Sequence, residues 1–138
     1  ARRTKQRDRL LQRIGKASFE YGLREQSALL GLAGLALKLL PPKQRIQLAL
    51  NSLANALKKT NPQIQIDVEE SNGRIAYIAR TCSVCHGRHS EKPLCHLYVG
   101  TIAEAVHWAT GQAYQVRETD CVACGAAYCR YEVSELAA

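Results

Sequence analysis

Residues 93–133 read PLCHLYVGTIAEAVHWATGQAYQVRETDCVACGAAYCRYEV, and the fold turns on how this stretch is laid out. After Pro93 the apolar positions recur at helical spacing. Cys95, Val99, Ile102 and Val106 form one stripe, with Leu94, Tyr98, Ala105 and Trp108 beside it. Gly111 suits the position just past a helix C-terminus. A hairpin follows, running from about residue 112 to 118 and back from 127 to 134. On its returning strand Ala127, Cys129, Tyr131 and Val133 share a face. This layout puts Cys95 in the first turn of a helix, Cys121 in a hairpin turn and Cys129 on a strand. Glu118 precedes Cys121 by three residues. Three thiolates and one carboxylate offered to one point can make a closed tetrahedral zinc site.

Working outward, the upstream chain is first helical and then β. Residues 7–20 read as a basic amphipathic helix with Leu10, Leu11, Ile14 and Ala17 on one side. Ser27 caps a second helical run to Leu40, which Pro41-Pro42 ends; Gly31 and Gly34 within it would let another backbone pack closely. Between Lys43 and Lys59, Ile46, Leu50, Leu53 and Leu57 fall on one helical face, and Asn61-Pro62 stops it. The period then drops to two: Ile64, Ile66 and Val68, a turn at 71–73 (SNG), then Ile75, Tyr77 and Ala79. Helices, hairpin, helix, hairpin is the order of an α+β domain, an antiparallel sheet of about four strands packed with helices. We divide it into a basic N-terminal arm, 1–24, and a single domain, 25–138, with the metal site in its C-terminal half.

The 138 residues suit one core, and 46% hydrophobic with 22% charged residues is an ordinary globular composition. The net charge of +7 is concentrated: residues 1–16 hold seven basic side chains against Asp8 alone, and the rest of the chain is nearly neutral. The arm reads as a solvated, partly frayed terminus ahead of a nucleic-acid or acidic-lipid contact. No helix-turn-helix, zinc finger or aromatic-rich strand supports a nucleic-acid role. The most apolar run, 28–40, has 13 residues and includes Lys38, too short to span a membrane. With no export signal in view we expect a reducing cytoplasm, where clustered cysteines are metal ligands before they are disulfides.

All six cysteines lie between residues 82 and 129. Beyond Cys95, Cys121 and Cys129, Cys82-x-x-Cys85 and Cys121-x-x-Cys124 both have metal-knuckle spacing, with 35 residues between the pairs. Cys82, Cys85 and Cys124 are therefore second candidates, and an iron–sulfur cluster fits on count as well as zinc does. His86, His89 and His96 are available donors, although each reads more simply as an exposed loop residue.

The stretch 93–133 resembles the 4-vinyl reductase domain family. Pro93, Cys95, Gly100, Gly111, Glu118, Cys121, Gly125 and Cys129 stand in register with its pattern, a Pro-x-Cys at a helix start followed by Glu-x-x-Cys-x-x-x-Gly-x-x-x-Cys. The resemblance implies a zinc ion on Cys95, Glu118, Cys121 and Cys129. It also implies a fold related to the aromatic-sensing domains of bacterial transcription activators and to subunits of a Golgi vesicle-tethering complex, and a dimeric domain that binds hydrophobic ligands. Cys124, Cys82 and Cys85 depart from the core pattern; the last two have the means to displace Glu118 from the metal.

The functional expectation is a binding or sensing domain for a hydrophobic, aromatic or tetrapyrrole-like ligand, built on a structural metal. Its pocket is expected between sheet and helices, lined by Tyr77, Leu97, Tyr98, Ile102, Val106, Trp108 and Tyr114. A reductase is the alternative, but no dinucleotide, phosphate-loop or flavin motif is present, so it would depend on an iron–sulfur site. A dimeric scaffold joined through the N-terminal helices is the third reading, compatible with ligand binding.

Overall fold

The computed structural model describes residues 2–25 and 38–135. Its elements are α1 (Arg2–Glu25), α2 (Pro42–Thr60), β1 (Ile66–Ser71), β2 (Arg74–Ala79), α3 (His96–Thr110), β3 (Tyr114–Asp120), a 3-10 turn (Val122–Cys124) and β4 (Cys129–Glu135). This is the α+β class read from the sequence. The run at 26–37, which contains Ser27, Gly31 and Gly34, lies outside the described residues. Pro42, read as the end of a preceding helix, sits in the first turn of α2, where its missing N–H costs nothing.

The sheet is antiparallel throughout, in the order β1-β2-β4-β3. Asn72 (φ 52°) and Gly73 (φ 77°) close the first hairpin, the left-handed pair that matches strand twist. Ile75 through Ala79 are all buried, as befits a strand with neighbours on both edges. α2 packs on β1 and β2 through Ile46, Leu50 and Ala54, α3 packs beside β3, and the two helices touch each other. The core is continuous from Leu50 through Ile102, Val106 and Tyr131 to four buried cysteines.

α1 forms a further layer, packed along α3. The contact depends on two glycines. A Cβ on Gly15 would stand 2.0 Å from the carbonyl oxygen of Leu97, and one on Gly100 would stand 2.0 Å from that of Gln12. The backbones therefore touch with no side chain between them. Thr101 Oγ1 donates to the carbonyl of Gly15 (3.1 Å), His96 Nε2 lies 3.4 Å from Asp8 Oδ2, and Phe19 meets Trp108 edge-on with centroids 6.5 Å apart.

Residues 2–16 are thus part of a docked helix, which corrects the reading of a solvated, partly frayed terminus. The buried side is also rotated from the expected one. Gly15 is buried and Leu11 half-buried, whereas Leu10, Ile14 and Ala17 are exposed. The close approach at Gly15 selects that face, because only there can two helix backbones meet. In β4 the expected face holds for Cys129, Tyr131 and Val133, but Ala127 precedes the strand and is exposed.

Candidate metal centre and adjoining cavity

Each donor is delivered by a different local device. Cys95 caps α3 and ends the loop that leads from β2. Cys121 follows β3 and opens the 3-10 turn, and Cys129 begins β4. Along β3 the inward positions alternate through Tyr114, Val116 and Glu118. The ladder then shifts register between Glu118 and Asp120, a bulge that bends the strand next to the cysteine turn. Cys85 arrives from the 82–88 loop, where Gly87 (φ 71°) turns the chain back.

One ligand atom from each of Cys85, Cys95, Glu118, Cys121 and Cys129 can be chosen so that all lie within 4.8 Å of one another. The four thiols are buried, at 0–1% exposure, and Glu118 is half-buried. Cys85 Sγ lies 2.8 Å from Cys95 Sγ and 3.5 Å from both Cys121 and Cys129, and Cys95 lies 3.9 Å from Cys129. Glu118 Oε1 accepts the Cys95 N–H at 3.1 Å, and the Val122 N–H donates to Cys129 Sγ at 3.4 Å. None of the six thiols is in a disulfide.

The second candidates separate. Cys85 is inside the group. Cys82 is half-buried at its margin, 3.2 Å from Cys85 and 3.4 Å from Cys95. Cys124 is exposed and stays out of it, because the 3-10 turn points its side chain outward. His86 and His89 are exposed, and His96 faces Asp8 of α1.

Protonation in this cluster is strongly coupled. Hydrogen bonds from Cys129 and Cys95 hold the Cys82 thiol far below the usual range. Bonding to Cys129 and Cys82, with burial, pushes Cys95 up. Bonding to Cys82 pushes Cys129 up, and burial pushes Cys85 up to about 12. The opposed directions have one meaning: a single thiolate is stabilised by its neighbours, and further ionisation is resisted for want of positive charge. A bound cation reverses that balance and deprotonates coordinating thiols.

Two further buried atoms point the same way. Glu118 Oε2 and the Tyr131 hydroxyl have no hydrogen-bond partner among the described residues. Burial raises the Glu118 carboxyl; burial, then the nearby Cys95 and Glu118 charges, raises the Tyr131 phenol. Orphaned polar atoms of this kind carry a cost of about 1–3 kcal/mol each. Around a metal, Glu118 gains a partner as ligand or as outer support, and Tyr131 gains a thiolate to donate to. Donor chemistry, spacing and orphaned atoms all fit a resident metal ion.

Beside the cluster lies an open cavity of about 600 Å³. α1 contributes Thr4, Arg7, Asp8 and Gln12, and the 90–94 loop contributes Ser90, Glu91, Lys92, Pro93 and Leu94. His96 and Val99 of α3 and Val116, Arg117 and Glu118 of β3 complete it. None of the seven expected pocket residues lines this cavity. Tyr77, Ile102 and Val106 are fully packed in the core, with Tyr77 and Tyr98 both edge-on to Tyr131 at 6.2 and 6.3 Å. Trp108 is taken up by Phe19, Leu97 lies at the α1 crossing, and Tyr114 packs against the core from β3. The cavity residues carried no periodic signal; the one clue was a charged arm with a glycine at its centre.

The family model of the 4-vinyl reductase domain matches residues 75–135. The fold is similar to the phenol-responsive sensory domain of the transcription activator PoxR with phenol, at TM-score 0.58 and 14% identity over 93% of this chain and 65% of that one. It is similar to a vinyl-4-reductase family protein from Methanocaldococcus jannaschii, at TM-score 0.53 and 14% identity over 83% of this chain and 82% of that one. It is also similar to the Fe(II) unliganded H-NOX protein from K. algicida, at TM-score 0.54 and 12% identity over 95% and 64%. The chain thus spans about two thirds of the PoxR and H-NOX structures. No curated protein matches the sequence. By sequence over residues 75–135, and by fold over most of its length, this chain matches the 4-vinyl reductase domain family.

Proposed function

We propose that the chain is a small-molecule-sensing domain in which one metal ion clasps the β3–β4 hairpin to the start of α3, and in which the cavity beside that clasp receives a hydrophobic or aromatic ligand. The observation that carries the reading is the shared residue Glu118. It lines the cavity and also holds the Cys95 N–H inside the donor cluster. An occupant of the cavity therefore touches the clasp directly. The volume lies within the range usual for small-ligand sites, and Pro93, Leu94, Val99 and Val116 give it an apolar floor under a polar rim. That the similar PoxR domain is phenol-responsive supports the ligand class.

The thiolate-rich donor set favours zinc, bound in a closed structural site with no position for a reactive water. Spacing also favours one ion: a four-iron cluster spreads its cysteine sulfurs over separate irons, whereas these donors lie within 4.8 Å of each other. Metal analysis with an absorption spectrum of anaerobically purified protein tests this. One zinc per chain with no visible band is expected. Iron with a band near ~400 nm would instead favour a redox protein. Thermal shift against phenols, larger aromatics and porphyrins tests the ligand; no shift with any of them removes the sensing reading.

A homodimer through the N-terminal helices forms part of the same proposal. It is supported by Leu10, Ile14 and Tyr21, exposed by 43–67% along one line of α1. Light scattering at micromolar concentration tests it, with a monomer as the refuting result.

A further inference from the structure

The donor cluster holds five candidate ligands for the four positions of a tetrahedral ion. We infer that the fourth donor in this chain is the Cys85 thiolate in place of the Glu118 carboxylate, so that the metal is held by Cys85, Cys95, Cys121 and Cys129. The inference rests on the single-ion reading above.

Position is the first argument. Four sulfurs about 2.3 Å from one zinc ion stand about 3.8 Å apart. Cys85 Sγ is 3.5 Å from Cys121 and from Cys129 and 2.8 Å from Cys95, and the Cys95–Cys129 edge is 3.9 Å. Cys85 is thus the one sulfur in contact with all three others, and it is completely buried.

The backbone that presents Cys85 is also built for the purpose. The His86 N–H donates to the carbonyl of Cys82 (3.1 Å) and the Arg88 N–H to that of Cys85 (2.9 Å). The Ser90 N–H then donates to the carbonyl of Ala123 (2.8 Å), which ties this loop to the turn that follows Cys121. Cys82 stands behind the Cys85–Cys95 edge, half-buried and outside the group.

Glu118 has other work. Its Oε1 accepts the Cys95 N–H at 3.1 Å, at a helix start where first-turn donors lack partners inside the helix. That makes it a positioning residue for the Cys95 ligand, the kind of outer support that fixes ligand geometry. Its Oε2, buried without a partner, is the competing donor. A borderline-soft ion offered a fourth thiolate in the same space takes the sulfur.

The test is cobalt substitution with a second, variant-free measurement. Thiolate-to-Co²⁺ charge-transfer absorption grows with the number of bound sulfurs. Glu118→Gln keeps an oxygen for the Cys95 N–H but is a poor ligand. The assignment predicts a four-sulfur spectrum for both wild type and E118Q, with E118Q weakening affinity by no more than about 10–100-fold. Cys85→Ser should lose about a quarter of the band intensity. X-ray absorption on the wild-type zinc protein should give four sulfurs. Three sulfurs and one oxygen there, or a spectrum altered in E118Q and unchanged in C85S, overturns the assignment alone. Wild-type protein that takes up no Co²⁺ overturns the single-ion reading and the assignment together.

Discussion

Alanine at Gly15 and alanine at Gly22 are the same substitution in the same helix, and they should have opposite signs. At Gly22 no described atom lies within 4 Å of the added methyl. Replacing glycine by alanine in an exposed helix interior then stabilises by up to about 1 kcal/mol. At Gly15 the methyl would sit 2.0 Å from the Leu97 carbonyl oxygen and 2.8 Å from the Thr101 nitrogen, both backbone atoms that cannot rotate away. Ordinary contact begins at 3.4 Å, so the α1–α3 crossing must open by about 1.4 Å. That displacement would break the Thr101–Gly15 hydrogen bond and the Asp8–His96 contact. Overpacking of this kind costs roughly 1–3 kcal/mol, and the lost hydrogen bond adds about 1. After the propensity gain, Gly15→Ala should be destabilising by roughly 1–3 kcal/mol, which places it about 2–4 kcal/mol below Gly22→Ala. Urea unfolding of metal-replete protein reads this as a shift of midpoint at constant slope. Gly100→Ala, whose methyl would stand 2.0 Å from the Gln12 carbonyl, should behave like Gly15→Ala. Equal midpoints for the Gly15 and Gly22 variants would refute the backbone-to-backbone crossing, and with it the claim that α1 is a wall of the domain.

Other consequences are separable from that one. Cys124→Ser should keep the metal and change stability by less than about 0.5 kcal/mol, because the side chain is exposed and off the cluster; metal loss in this variant would show the turn to be misread. With Cys85, Cys95 and Cys129 all pushed up, the metal-free protein holds those protons at neutral pH, so metal uptake must release them and apparent affinity must rise with pH. Calorimetry in buffers of different ionisation enthalpy counts the protons, and a count of zero contradicts the coordination proposed. Val116→Trp should fill the floor of the cavity and abolish a ligand-induced thermal shift while leaving the metal content at wild type; an undiminished shift would place the ligand elsewhere. Ile14→Glu should dissociate the dimer without lowering the midpoint of unfolding, since Ile14 is 43% exposed in the single chain.

Residues whose spacing reflects a local period were legible in the sequence. The stripe Val99, Ile102, Val106 makes α3 visible, and the alternation Ile75, Tyr77, Ala79 makes β2 visible, because burial of one face imposes the pattern. Three of the thiols were legible as a group because a helix start, a hairpin turn and a strand start converge in any hairpin that returns to a preceding helix. The cavity was not legible. Tyr77, Ile102 and Val106 have the composition of a pocket wall, but the same pattern describes packed core, and they are core. The residues that do line the cavity come from a charged helix and an irregular loop, where side-chain type follows no period. The docked face of α1 was hidden for a related reason. Apolarity pointed to Leu10, Ile14 and Ala17, whereas the deciding feature is the absence of a side chain at Gly15 and Gly100. Glycines in the middle of two helices were the available signal.

The clasp, the cavity and α1 form one mechanical unit. Cys95 caps α3, so whatever fixes the Cys95 thiolate fixes the first turn of that helix. Gly100 lies one turn further along, and α1 crosses there with no side chain to cushion a shift. A small displacement of the α3 N-terminus is therefore passed to α1 as backbone against backbone, which packed interfaces resist as a unit. The cavity is bounded by both parties: Glu118 and His96 at the clasp end, Asp8 and Gln12 on α1. The Asp8–His96 contact spans it directly. An occupant that separates Asp8 from His96, or that moves Glu118 from the Cys95 N–H, changes how α1 sits on the domain. The exposed stripe of Leu10, Ile14 and Tyr21 moves with α1. In this arrangement the metal has no need to change state to take part in sensing. It holds one end of α3 still, so that occupancy of the cavity is expressed at the other layer.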